Sequence, residues 1–238
     1  MTNKLEIRNC AVIGAGLMGA GIATEFLWHG YSVQLFDSNP DRIAWARERI
    51  QLDLALLVDG GLLDSKDAEK YYARLATPGE LLACVEDTQY VVEAVTERLD
   101  IKQQLFCELD AICSAQVILA TNSSGLLVTD IAQGLIHPER VIATHYFAPA
   151  HLIPLVEVFG GEHTASAFLD AAMTFLKEIN KHPILIANEH LRQAGNHLQF
   201  AMAQEAHRLV DLGATPEMID EIITFGFGRR LAFQGYFE

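Results

Sequence analysis

Residues 10–37, CAVIGAGLMGAGIATEFLWHGYSVQLFD, restrict the fold more than any other stretch of the chain. CAVIG is a short apolar run ending in glycine, the pattern of a buried strand. LMGAGIATEFLWHG carries apolar residues at helical spacing and stops at Gly30, a residue suited to a helix C-terminus. YSVQLFD is β-branched and apolar and closes on Asp37, so a second strand follows. Together they make a βαβ unit with parallel strands. Where strand meets helix, Gly14, Gly16 and Gly19 spell G-A-G-L-M-G. Such a triplet alone is a weak signal. Here it follows a strand, opens a helix and precedes an acidic strand end eighteen residues past Gly19. That is the dinucleotide fingerprint. The glycines permit a tight turn and close approach of backbone to pyrophosphate, and the helix N-terminus supplies free N–H groups and its dipole. Asp37 would accept from ribose hydroxyls and repel a 2′-phosphate, which favours NAD over NADP. FAD shares the fingerprint, and glycines used only for close helix–strand packing are the plainer alternative.

Beyond the unit, NPDRIAWARERIQLDLALLVDGG and LLDSKDAEKYYARL read as a helical hairpin, and RLATP as a short strand. QYVVEAV, QVILATN, RVIATHYF, PLVEVF and HPILIAN read as strands. DIKQQLFCELDAIC, VTDIAQGL and TASAFLDAAMTFLKEIN read as helices between them. The alternation predicts an α/β fold with a doubly wound, mostly parallel Rossmann sheet over 1–187. From Glu189 the pattern turns helical: one helix to Gly213, then a second opened by Thr215, Pro216 and Glu217. Residues 188–238 are therefore expected to form a short all-helical C-terminal domain.

The 238 residues carry a formal net charge of −14, which argues against a nucleic-acid partner and against an anionic membrane surface. The start of the chain is polar, and the apolar run after it is broken by glycines and Glu25, so neither leader nor span is expected. Cys10, Cys84, Cys107 and Cys113 form no C-x-x-C pair; free thiols and a cytoplasmic setting are expected. His190 and His197 share a helix face but lack a third ligand, so no metal is expected.

HYFAPAHLIPLVEV, residues 145–158, sets a histidine after an apolar run and a carboxylate twelve residues on, inside an otherwise apolar strand. A buried glutamate is costly unless paired. If Glu157 meets His145, the two form an oriented base.

The blocks VIGAGLMGAGIA, VVEAVTERLDIKQQLF, TNSSGLLVTDIA, HYFAPAHLIPLVEV and KHPILI leading to NHLQFAMAQEA, in this order and spacing, resemble the L-3-hydroxyacyl-CoA dehydrogenase family over nearly the whole chain. The resemblance implies NAD-dependent interconversion of an L-3-hydroxyacyl-CoA and its 3-keto product. It assigns acid–base work to His145 and Glu157, and catalytic positions to Ser124 and Asn196. It assigns cofactor contacts to Gly14, Gly16, Leu17, Met18, Gly19, Asp37, Glu97, Lys102 and Asn122. It also implies a homodimer joined through the helical region, and a helical region shorter than usual. The chain departs from the family pattern at Ala148, where asparagine is usual, at HLRQAG before NHL, and at His197, where arginine is usual. Pro154, in LIPLVEV, resembles the branch acting on small free hydroxy acids of the carnitine or gulonate type. A crystallin-like protein with little catalysis is a further alternative. Lys66, Lys70 and Arg74 share a helix face that would either meet CoA phosphates or stay solvated beside Asp67 and Glu69. Arg229 and Arg230 would either hold a substrate carboxylate or cap a helix.

Overall fold

The structure, a computed structural model, describes residues 6–187, 189 and 193–237. Eight strands form one sheet in the order β3-β2-β1-β4-β5-β6-β7-β8. They are β1 (Asn9–Ile13), β2 (Ser32–Phe36), β3 (Leu75–Ala76), β4 (Tyr90–Glu93), β5 (Ile118–Thr121), β6 (Val141–Tyr146), β7 (Leu155–Gly160) and β8 (His182–Leu185). All neighbours run parallel except β6 and β7. That pair is joined by a tight connection rather than a helix, so β7 must return antiparallel to β6. Its register sets His145 directly opposite Glu157.

The inner strands are buried on both faces, which is why they read as unbroken apolar runs. Side-chain alternation sends Cys10, Val12, Tyr90, Val92 and Ile142 into one core and Ala11, Ile13, Val91, Val141 and Ala143 into the other. The first core is sealed by α1 (Leu17–Trp28) and α7 (Ser166–Glu178), where Phe26, Tyr90 and Phe175 stack with centroids 4.9–5.9 Å apart. The second is sealed by α5 (Leu99–Ile112) through Phe106 and Leu109. Two short helices, α4 (Leu81–Val85) and α6 (Val128–Ile131), also border this second core.

Local chemistry sets the hairpin. The α2 helix (Pro40–Asp59) begins at Asn39, whose Oδ1 accepts from Asp41 N at 2.9 Å, and ends at Gly60 and Gly61, the latter with φ +70°. The α3 helix (Ser65–Tyr72) is capped in the same way by Asp64.

By compactness the chain divides into Met1–Arg192 and Gln193–Glu238. In the second unit α8 spans Ala194–Asp211, α9 Pro216–Ile222 and α10 Gly228–Leu231. The continuous helix expected from Glu189 is corrected here. Gln193 takes a left-handed conformation, φ 53°, so the helix starts at Ala194, while Gly213 at φ +105° ends it. His190 lies outside the described residues. Thr215 caps α9 by accepting from Met218 N at 3.2 Å, with Pro216 in the first turn. Among the described residues no helix is long and apolar enough to cross a membrane, and no cluster of histidine, cysteine and acidic residues could hold a metal ion. All four cysteines are free thiols.

Candidate active site

The carboxyl ends of β1, β2, β4, β5 and β6 converge on one edge of the sheet, where ligands bind in open α/β folds. The glycine loop after β1 is a cradle that side chains would fill. A Cβ on Gly19 would lie 1.8 Å from Gly14 O, and one on Gly14, whose φ is +104°, 2.6 Å from Ala94 O. A Cβ on Gly16 would meet only Arg42 Nη1, at 3.8 Å, so the space above the loop is open. Gly16 caps α1 without a side-chain bond, leaving that end to offer its N–H groups. Leu17 is exposed there and Met18 is partly buried against the core. Asp37 braces the same loop: Oδ2 accepts from Ala15 N at 2.8 Å and Oδ1 from Asn39 N at 2.9 Å. Loop shape, open space and acidic strand end all fit a dinucleotide.

A buried polar network supports the next strand ends. Glu93, fully buried, pairs with Lys102 Nζ at 2.5 Å, and its carboxylate accepts from Thr121 Oγ1 at 2.6 Å and Val95 N at 2.7 Å. Burial pushes the Glu93 carboxyl up, against the pull of Lys102. Lys102 Nζ also lies 3.3 Å from Glu97 Oε2. The other oxygen of Glu97 accepts from Ser123 Oγ at 2.5 Å, Ser124 N at 2.9 Å and Gly125 N at 2.8 Å. Burial works against the Glu97 charge, but these bonds and Lys102 outweigh it and hold the carboxyl below its ordinary value. Glu97 and Lys102 thus form the mount of the 123–125 loop. Asn122 Oδ1 accepts from Tyr146 N at 2.9 Å, which ties that loop to β6.

The mount aims Ser124 at His145. Ser124 Oγ lies 3.1 Å from His145 Nε2, and His145 Nδ1 lies 2.9 Å from Glu157 Oε2. Histidine and glutamate are 3% and 2% exposed, so their contact is shielded from water, while Ser124 is exposed. With Glu157 ionised, its carboxylate could only accept, which would place the proton on Nδ1 and leave Nε2 its lone pair. The structure therefore brings Ser124, His145 and Glu157 into one hydrogen-bonded line. Asn196 belongs to the second unit, half-buried near the start of α8.

Other residues singled out in the sequence have local partners. Lys70 lies 3.9 Å from Asp67 on an exposed face, and Arg74 donates to Gly30 O. Arg229 stacks on Phe225 at 5.0 Å. Sequence reasoning missed Glu93, Thr121, Ser123 and Arg42. The signal for Glu93 was present: a lone carboxylate within VVEAV poses the same question as Glu157.

A glycine cradle at the carboxyl edge of a Rossmann sheet and an oriented imidazole at a neighbouring strand end define a dinucleotide-linked dehydrogenase. Comparisons with known proteins sharpen the class. Residues 9–190 match the sequence family described as 3-hydroxyacyl-CoA dehydrogenase, NAD binding domain, and residues 194–238 match the C-terminal domain of the same family. The chain belongs to the 3-hydroxyacyl-CoA dehydrogenase family. It is 34% identical over 233 residues to an L-carnitine dehydrogenase of Pseudomonas syringae, covering 98% of this chain and 72% of that protein. It is 34% identical over 229 residues to a lambda-crystallin homolog of Rattus norvegicus, covering 95% and 72%. The crystal structure of 3-hydroxybutyryl-CoA dehydrogenase from Escherichia coli superposes with a TM-score of 0.83 at 33% identity, over 92% of this chain and 46% of that one.

Proposed function

We propose that the chain interconverts an L-3-hydroxy substrate and its 3-keto product with NAD, using His145 as general base in oxidation and general acid in reduction. The observation that carries this reading is the line Ser124–His145–Glu157, at 3.1 Å and 2.9 Å. In oxidation the substrate hydroxyl gives its proton to His145 Nε2. Glu157, bonded to Nδ1, fixes the tautomer and stabilises the imidazolium. Ser124 Oγ holds the reacting oxygen, and Asn196 is assigned to the same oxygen by resemblance. The glycine loop, Leu17, Met18, Asp37 and Asn122 hold the cofactor, with Glu97 and Lys102 shaping its border. NAD, when bound, supplies the hydride acceptor.

Two substrates stand on different observations. The family match and the 3-hydroxybutyryl-CoA dehydrogenase structure favour a CoA thioester. The relative named L-carnitine dehydrogenase, spanned over 72% of its length, favours a small free hydroxy acid. Pro154 agrees with the second, which we adopt. The buried dyad speaks against a protein of the crystallin type without activity. In this reading residues 1–187 serve the cofactor, and 188–238 serve the substrate and join a homodimer in the cytoplasm. Light scattering tests the dimer, and a monodisperse monomer would contradict it. The function is tested by following NAD reduction with L-carnitine and other 3-hydroxy acids, and NADH oxidation with acetoacetyl-CoA. Turnover of a free hydroxy acid supports the reading, turnover of the thioester alone moves it to the CoA branch, and no turnover of any would overturn it.

A further inference from the structure

Most arginines of this acidic chain stand beside a carboxylate. Arg8, Arg49, Arg98, Arg140 and Arg208 each have one within 2.9 Å. Arg42 does not. Among the described residues nothing accepts from its guanidinium, in a chain with 31 acidic residues. Asp37, at the end of the preceding strand, has its carboxylate on Ala15 N and Asn39 N instead.

Its place in the helix is also wrong for a stabilising cation. Arg42 is the third residue of α2, so its charge stands at the positive end of that helix dipole. Asn39 caps the helix and Asp41 supplies the acidic residue suited to a first turn, so α2 does not depend on Arg42. An exposed cation, unpaired and at the unfavourable helix end, points to an anion that arrives from outside the chain.

Where the guanidinium stands identifies that anion. Its Nη1 lies 3.8 Å from the point that a Cβ on Gly16 would occupy, and it is the only atom outside the loop and α1 within 4 Å of that point. In the dinucleotide fingerprint, the missing side chain of the second glycine is what lets the backbone approach the pyrophosphate. Arg42 therefore borders the gap that the pyrophosphate enters, as do the N–H groups at the start of α1. A guanidinium presents a planar fork of N–H donors that matches two phosphate oxygens at once. Adenine and the ribose hydroxyls carry no charge for it to balance.

We infer that Arg42 is a further cofactor-binding residue, which holds the pyrophosphate of NAD from the α2 side. The inference rests on the NAD reading of the glycine loop, so its test reads binding rather than turnover. NADH, ADP-ribose and NADPH are titrated calorimetrically into wild type, Arg42→Ala and Arg42→Lys, at low and at high salt. Arg42→Ala weakens NADH about tenfold or more, the loss of a hydrogen bond to a charged group. ADP-ribose, which keeps the pyrophosphate and lacks nicotinamide, weakens by the same factor. Arg42→Lys falls between, since it keeps the charge without the fork. Added salt weakens NADH more steeply in wild type than in Arg42→Ala. The ligand-free unfolding temperature of Arg42→Ala holds or rises, because a cation has left the helix N-terminus. Unchanged NADH affinity in Arg42→Ala, equal salt dependence in the two proteins, or a lowered unfolding temperature would overturn the inference. So would a loss clearly greater for NADPH than for NADH, which would give Arg42 to a 2′-phosphate. Wild type that binds none of the three ligands would sink the NAD reading itself, and this inference with it.

Discussion

At the scale of single residues, the account rests on what each carboxylate does. In the proposed mechanism Glu157 orients an imidazole and does not touch the reacting atoms. Glu157→Gln keeps the shape and offers the imidazole an amide that can donate as well as accept. The Nδ1–H tautomer then loses its anchor, and the imidazolium its counter-charge. The expected result is a fall in kcat of about 10²-fold or more with little change in KM. Steady-state kinetics check it; a loss confined to KM would contradict it. Asp37 is read as the ribose acceptor while it braces Ala15 N at 2.8 Å. Asp37→Ala should weaken NAD about tenfold or more by calorimetry, since charge-assisted bonds of this kind contribute about 1.5–3 kcal/mol. Unchanged affinity would remove Asp37 from the site. Much of this was legible in residue spacing. Gly14 to Asp37 is one local unit, and a lone Glu157 in an apolar strand asks for a partner. The role of Glu93 beneath that mount was not read out, because one of its partners, Thr121, stands 28 residues away and meets it only through the β4–β5 register.

At the scale of elements, the antiparallel pairing of β6 and β7 turns a spacing of twelve residues into a cross-strand contact. No helix could fit in so short a connection, so this pairing followed from the chain length between the strands. The start of α8 did not follow: a left-handed Gln193 carries no strong sequence signature, and apolar spacing continues across it. One buried pair links three elements. Glu25 in α1 lies 3.1 Å from Lys181, which enters β8 and holds the β6–β7 turn. Burial pushes the Glu25 carboxyl from 4.5 up to about 7, against the pull of Lys181. A raised folded value means that the folded state holds this proton more tightly. The stability it contributes is full below pH 4.5 and is lost as the pH rises towards 7. Wild-type stability, measured by denaturant unfolding relative to Glu25→Gln, should therefore decline across that window. Parallel curves, or a rising difference, would contradict it.

At the scale of the whole molecule, an acidic chain is proposed to take an anionic cofactor and a hydroxy acid at the carboxyl edge of its sheet. The net charge of −14 argues against nucleic acid and an anionic membrane but does not bear on the substrate, because the charges at the site stand in local pairs such as Glu93–Lys102 and Glu157–His145. Fold class was legible in the inner strands, since strands buried on both faces read as apolar runs. The central claim is that His145 moves the substrate proton. The most direct measurement is single-turnover NADH formation in His145→Ala beside calorimetric NAD binding. A fall of about 10²–10⁴-fold in rate with NAD affinity retained is the expected result. Wild-type rates in the variant would contradict it.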